Sequence, residues 1–138
     1  MKKIIVDAGP FIALFDKDDK YHKDIKNLIS RLNYKYITTW PVITEVTHLL
    51  DFNTNVQIDF LKWINLGGVE IFNLEIIHLS RMIKLSEKYI DLPMDFADAS
   101  LVIVAEELGL NEIIAIDSDY DVYRLINKKQ FKNIFKNQ

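Results

Sequence analysis

The sequence predicts an α/β domain built on a mostly parallel sheet of about five strands. Three observations carry that expectation. Short β-branched runs alternate with longer stretches whose apolar residues recur every three or four positions, the pattern of helices laid over a parallel sheet. Glycine, proline or acidic residues follow the apolar runs and mark where strands stop. The length of 138 residues with 49% hydrophobic content suits one domain, residues 1–138. No period of about 20–50 residues indicates a repeat architecture.

Ile4-Ile5-Val6 is the first strand, and Asp7-Ala8-Gly9-Pro10 turns it into a helix. After a charged interruption from Asp16 to Lys20, Ile25, Leu28, Ile29 and Leu32 mark a second helix, and the aromatic and β-branched run Tyr34–Thr39 a second strand. Trp40-Pro41 closes that strand, and Val42, Val46, Leu49 and Leu50 form the stripe of a helix that carries Glu45 and His48. A helix over Val56–Leu66 is broken by Gly67-Gly68, and Val69–Phe72 follows as a third strand. Offsets of three and four among Ile76, Leu79, Met82, Ile83 and Leu85 make Leu74–Tyr89 an amphipathic helix, with Pro93 ending the connection. The apolar stretch Met94–Leu108 reads as a buried helix with Gly109 just beyond its end. Ile113–Ile116 is a strand covered on both faces, Asp117-Ser118-Asp119 a turn, and Phe131–Phe135 the place of a last strand.

Composition narrows the function classes. Without cysteine there is no disulfide framework, no Cys-type zinc site and no thiol catalysis. The balance of 17 basic against 20 acidic residues, with four Gly and three Pro, excludes wholesale disorder and collagen-like repeats. Asp7 interrupts the apolar run after Lys2-Lys3 before it reaches the ~7–15 residues of a signal-peptide core. No apolar stretch approaches the ~18 residues of a membrane span. A soluble, cytoplasmic protein with no membrane partner is expected.

The acidic residues take their meaning from the strand ends. In open parallel sheets ligands bind beyond the carboxyl ends of the strands, and both Asp7 and Asp117 directly follow a strand. Glu45 lies early in the helix after the second strand, and Asp95 and Asp98 stand three apart at the start of a later helix. Carboxylates gathered at one place raise one another's pKa unless a cation offsets them. An oxygen-only donor set with no obvious His partner suits Mg2+ or Mn2+ rather than zinc or copper, and Mg2+ held by one or two carboxylates works with phosphate oxygens. Phosphodiester hydrolysis is therefore the leading chemistry. Individually each acid has a plainer role: Asp95 as a helix N-cap with Asp98 in the first turn, Asp7 and Asp117 as turn residues.

Four segments in this order, Ile4–Phe11 with Asp7, Val42–Val46 with Glu45, Asp95–Leu101 with Asp98, and Ile116–Tyr120 with Asp117, resemble the PIN domain. They are similar in particular to the single-domain VapC-like toxins of toxin–antitoxin modules, and the resemblance covers nearly the whole chain. The resemblance implies a three-layer α/β/α fold and a Mg2+- or Mn2+-dependent endoribonuclease, neutralised by a small cognate antitoxin and working as a homodimer. It assigns catalytic roles to Asp7, Glu45, Asp98 and Asp117. The metal ligands would be Asp7, Asp98 and Asp117, with Asp95 replacing or assisting Asp98; Asp98 is preferred because Ala99 follows it. Water would attack the phosphodiester in line with the ion's help, leaving a 5′-phosphate and a 3′-hydroxyl. Ser118 and Asp119 depart from the family pattern, whereas Tyr120 fits its aromatic place.

Thr44, Ser118 and Asp119 are supporting candidates, although hydroxyls near turns more often cap the backbone. A net charge of −3 gives RNA no bulk attraction, so contact with it would fall to local basic residues. Those are Arg124, Lys128, Lys129, Lys132 and Lys136 in the tail and Lys17, Lys20, Lys23 and Lys26 near the start, with Arg124 the one candidate substrate contact. His22, His48 and His78 form no metal motif. Trp40, Trp63, Tyr34 and Tyr36 sit in periodic segments that favour core or interface packing over base stacking. The helices from Val42 to Leu66 offer candidate dimer surfaces. Two other functions compete. A receiver-like phospho-acceptor domain expects an acidic pair near the first strand and a Lys after a late one, and neither is present. A catalytically silent PIN-like binding module would not need the complete acidic set.

Overall fold

The computed structural model describes residues 1–92 and 94–136. Its five strands are β1 (Lys3–Val6), β2 (Lys35–Thr39), β3 (Glu70–Phe72), β4 (Glu112–Ile114) and β5 (Lys132–Asn133). They lie in the order β3-β2-β1-β4-β5 with every pairing parallel. Six α-helices connect them: α1 (Ala8–Phe15), α2 (His22–Arg31), α3 (Trp40–Leu49), α4 (Thr54–Asn65), α5 (Leu79–Lys88) and α6 (Phe96–Leu108). The expected α/β/α class and strand number are what the structure shows. As the chain steps from β1 to β3, α1 packs with α2, α3 and α4, and as it returns to β4, α5 packs with α6.

The core follows from the apolar runs. Ile4, Ile5, Val6, Ile113 and Ile114 are buried in the two central strands, and α6 buries eight of its residues, including Leu101, Val102 and Val104, beneath α5 and against β1 and β2. Opposite α6, Phe11, Phe15, Phe60 and Trp63 interlock with ring centroids 5.2–6.4 Å apart, holding α4 on α1. Trp63 thus packs as expected. Among the described residues no helix is long and apolar enough to cross a membrane.

Four local expectations are corrected. Trp40-Pro41 opens α3 instead of only closing β2, because proline suits the first turn, where its missing N–H has no partner to lose. The stretch from Leu74 divides into a 3-10 turn (Ile76–His78) and α5, joined where Glu75 and His78 cap each other. Strand β4 ends at Ile114, not Ile116, because the buried Asn133 side chain takes over its pairing: Nδ2 donates to Ala115 O at 2.8 Å and Oδ1 accepts the Ala115 N–H at 3.2 Å. Helix α6 starts at Phe96, leaving Asp95 outside it as N-cap. The expected stop at Pro93 lies outside the described residues.

Two glycines fit their places for different reasons. Gly109 ends α6 with φ of 64°, and Leu110 N–H closes the cap on Ala105 O at 2.9 Å. At Gly68 an added Cβ would fall inside the Trp63 indole. Gly68→Ala is expected to cost about 1–3 kcal/mol by forcing the aromatic cluster apart, read as a lowered urea midpoint; an unchanged midpoint would show that Trp63 moves freely.

Candidate active site

The strand order reverses at β1. The chain runs outward through β2 and β3, then returns to place β4 on the other side, and the crevice at such a reversal is where open α/β sheets bind ligands. Asp7 leaves β1 there, its N–H donating to Ile114 O of β4 at 3.1 Å. Gly9 brings α1 close to Ile116, where an added Cβ would meet the Ile116 side chain at 3.3 Å, so Asp117 follows directly beside the start of α1. On the other side, Thr38 Oγ1 donates to Val6 O at 2.8 Å. The buried Thr39 and Ser100 hydroxyls lie 2.6 Å apart. Ser100 spends its proton on Ala97 O, so Thr39 is the donor, and the pair ties the first turns of α6 to the end of β2.

Asp7 is buried and is the N-cap of α1. Burial pushes its carboxyl up to about 8, with the charges of Asp98, Glu45 and Asp95 adding to the shift and the Ala8 N–H opposing it. Asp98, in the first turn of α6, is pushed up to about 6 by burial and by Asp95. Both of its oxygens accept tyrosine hydroxyls, Oδ1 from Tyr120 at 3.0 Å and Oδ2 from Tyr123 at 3.1 Å. Half-buried Glu45 is also shifted upward, by burial and then by Asp95 and Asp117. Mutual influence of this kind is felt only among near neighbours, so Asp7, Glu45, Asp95, Asp98 and Asp117 share one locality at the carboxyl edge.

The acids also do the plainer local work. Asp95 accepts the Asp98 N–H at 2.8 Å as N-cap of α6. Asp117 accepts the Asp119 N–H at 3.0 Å and opens a 3-10 helix over Ser118–Asp121. Thr44 Oγ1 donates back to Trp40 O at 3.1 Å. Ser118 is exposed, and burial, followed by Asp117, pushes the Asp119 carboxyl upward. Arg124 spends Nη1 on the carbonyls of Asp121, Val122 and Tyr123 at 2.8–3.0 Å, bracing the segment after Asp117. Of the tail lysines, Lys136 reaches this segment, pairing with Asp121 at 3.7 Å.

Two features lie beyond the sequence expectation. Trp40 is 54% exposed instead of packed, and with Phe96, 56% exposed, it flanks a groove of about 650 Å3 lined also by Thr44, Glu45, His48 and Asp95. Tyr123 is the other. Its distance of 25 residues from Asp98 gives no periodic signal, whereas Trp40 at the start of α3 is visible in the sequence and reads as core or interface packing.

The donor chemistry fits a hard divalent ion. Ion pairs among the described residues engage Glu70, Glu106, Glu107, Glu112 and Asp121, and none reaches Asp7, Glu45, Asp95, Asp98 or Asp117. Asp7 is therefore a buried carboxyl beside Asp98, Glu45 and Asp95, with no ion-pair partner among the described residues. Among the described residues there is no group of three or more acidic, histidine or cysteine side chains placed to hold a metal ion. Mg2+ does not require one, since it keeps several waters and takes one or two protein carboxylates.

The PIN domain family model matches residues 4–125. Among solved structures, the chain resembles VapC20 of Mycobacterium tuberculosis, described as a sarcin-ricin loop cleaving toxin. The two share 20% identity with a TM-score of 0.76 over 84% of this chain and 91% of that one. It also resembles VapBC2 from Rickettsia felis, solved bound to a DNA fragment from its promoter, at 12% identity and a TM-score of 0.64 over 95% and 98% of the two chains. No curated protein matches the chain. With the family model matching residues 4–125 and a fold like that of VapC20, the chain belongs to the PIN domain family.

Proposed function

We propose that the protein is a Mg2+- or Mn2+-dependent endoribonuclease, the toxin of a type II toxin–antitoxin pair, restrained in the cytoplasm by a small antitoxin. One observation carries the reading: a buried, uncompensated Asp7 surrounded by Glu45, Asp95 and Asp98 at the point where the strand order reverses. Asp7, Asp98 and Asp117 would hold the ion, with Asp95 assisting. When bound, the ion supplies Lewis acidity toward a phosphodiester and offsets the crowded negative charge.

The protein's own groups then have distinct tasks. Glu45 faces the groove, and burial with the neighbouring acids raises its pKa, which makes its carboxylate the stronger base for the proton of the attacking water. The water oxygen bonds to phosphorus as the bond from phosphorus to the 3′-oxygen breaks. The products are a 5′-phosphate and, once that oxygen gains a proton, a 3′-hydroxyl. Thr44, Ser118 and Asp119 support this arrangement from the rim. Arg124 supports it by holding the segment after Asp117, with substrate contact as a further role. Homodimerisation would use the exposed Leu49, Phe52, Ile58 and Leu61 between α3 and α4.

A receiver-like reading does not survive the topology, which runs 3-2-1-4-5 where such domains run 2-1-3-4-5. A silent binding module stays as the competitor and is separated by activity. Antitoxin-free protein is expected to cut RNA with Mg2+ or Mn2+ and to stop with EDTA. Asp98→Asn is expected to lose about a hundredfold or more in rate, the scale of several kcal/mol of charge stabilisation. Full cleavage in EDTA, or by the variant, would reject the metal-dependent reading, and no cleavage under any condition would favour the silent module.

A further inference from the structure

The segment that begins with Asp117 does more than supply an acid. Tyr120 lies in its 3-10 helix and Tyr123 just beyond, and their hydroxyls donate to different oxygens of the same carboxylate, that of Asp98. Two donors on two oxygens fix both the position and the plane of the group, because rotating it breaks both bonds together. The remaining lone pairs stay available.

The donors themselves are held. The Tyr120 and Tyr123 rings meet edge to face at 5.3 Å and 84°, Tyr120 leans on Phe131 at 5.4 Å, and Tyr123 on Tyr89 at 5.1 Å. The Tyr89 hydroxyl accepts the Arg124 N–H at 2.8 Å, and the Arg124 guanidinium gathers the carbonyls of Asp121, Val122 and Tyr123. Both tyrosine rings are buried, so neither hydroxyl is there to meet solvent.

We propose that Tyr120 and Tyr123 are positioning residues that lock the Asp98 carboxylate in one orientation relative to Asp117, presetting two ligands of the divalent-ion site from one short segment. This rests on the reading of the acidic cluster as an ion-dependent nuclease site. It assigns neither tyrosine a contact with RNA. Removing either hydroxyl leaves the ring packing in place and releases one oxygen of Asp98.

The test uses the full chain with Tyr120→Phe, Tyr123→Phe and the double substitution. Mn2+ affinity is read from the electron paramagnetic resonance signal of free Mn2+, and RNA cleavage is followed alongside. The double variant is expected to bind Mn2+ about 10- to 100-fold more weakly, the usual scale when groups orienting a ligand are lost. Its kcat should fall while KM for RNA stays within about twofold, since only a group acting through Asp98 is removed. Each single variant should show a smaller loss of the same kind, which decides the matter if the double variant does not fold. Unchanged Mn2+ affinity and kcat in the folded variants would overturn the proposal, as would wild-type protein that binds no Mn2+. If the wild type binds Mn2+ but cuts no RNA, the nuclease reading fails, and the affinity comparison still decides the positioning role.

Discussion

Asp7→Asn is expected to make the ion-free protein more stable at neutral pH while removing RNA cleavage. In ordinary surroundings an aspartate titrates near 3.8, and in this fold burial among other acids pushes Asp7 up to about 8. The folded state therefore holds a proton that the unfolded chain has released. That stabilising contribution is complete below about pH 4 and is lost as the pH rises through the folded value. The slope reaches about 1.4 kcal/mol per pH unit. Asp98, pushed up to about 6, acts in the same direction over the lower part of the range. Asparagine has nearly the same shape and no charge to bury, so its advantage should grow from pH 5 to pH 8, to on the order of 3 kcal/mol at pH 7. Urea unfolding in EDTA at several pH values measures this directly. A variant less stable than the wild type at pH 7 would mean that Asp7 is favourably solvated or paired.

The second large effect belongs to Asn133, far from the acids in sequence but joined to the strand that leads to Asp117. Its amide group serves three backbone partners: the Ala115 carbonyl, the Ala115 N–H and the Phe135 N–H, the last at 3.2 Å. Asn133→Leu preserves the volume and takes that partner from the two buried Ala115 groups and from the part-buried Phe135 N–H. At about 1–3 kcal/mol for each unmet buried group, partly relieved by local shifts, the cost should be about 3–5 kcal/mol. Because Ala115 precedes Asp117 by two residues, cleavage should fall more than the folded fraction does. Equal losses of stability and activity would show that Asn133 matters only to folding.

These two residues show what was legible in the sequence. Asp7 could be found because its signal is local: a β-branched run, then an acid, then Gly9-Pro10. Asp117 likewise follows an apolar run, Ile113–Ile116, but opens on Ser118-Asp119, and Asp98 has a helix start to announce it. The convergence of the acids followed from the general rule for parallel sheets, not from any contact. Asn133 gave no such signal, since a side chain that replaces strand hydrogen bonds 18 residues away leaves neither a period nor a motif. Tyr123 was silent for the same reason. Trp40 was visible, but of its two expected places, core or interface, the core is excluded: the first turn of α3 turns it outward beside Glu45. Asp95 met its plainer role as a cap, and it also acts on the carboxyls of Asp7, Glu45 and Asp98.

The most direct test is the unfolding midpoint of the wild type and of Asp7→Asn between pH 5 and pH 8, each with EDTA and with Mn2+. Without the ion the wild-type midpoint should fall as the pH rises. With Mn2+ it should gain most at the highest pH, where protons no longer compete for the carboxylates, and Asp7→Asn should lose most of that gain. Mn2+ that leaves the wild type unmoved at every pH, or shifts both proteins equally, would contradict the claim that these acids form one cation site.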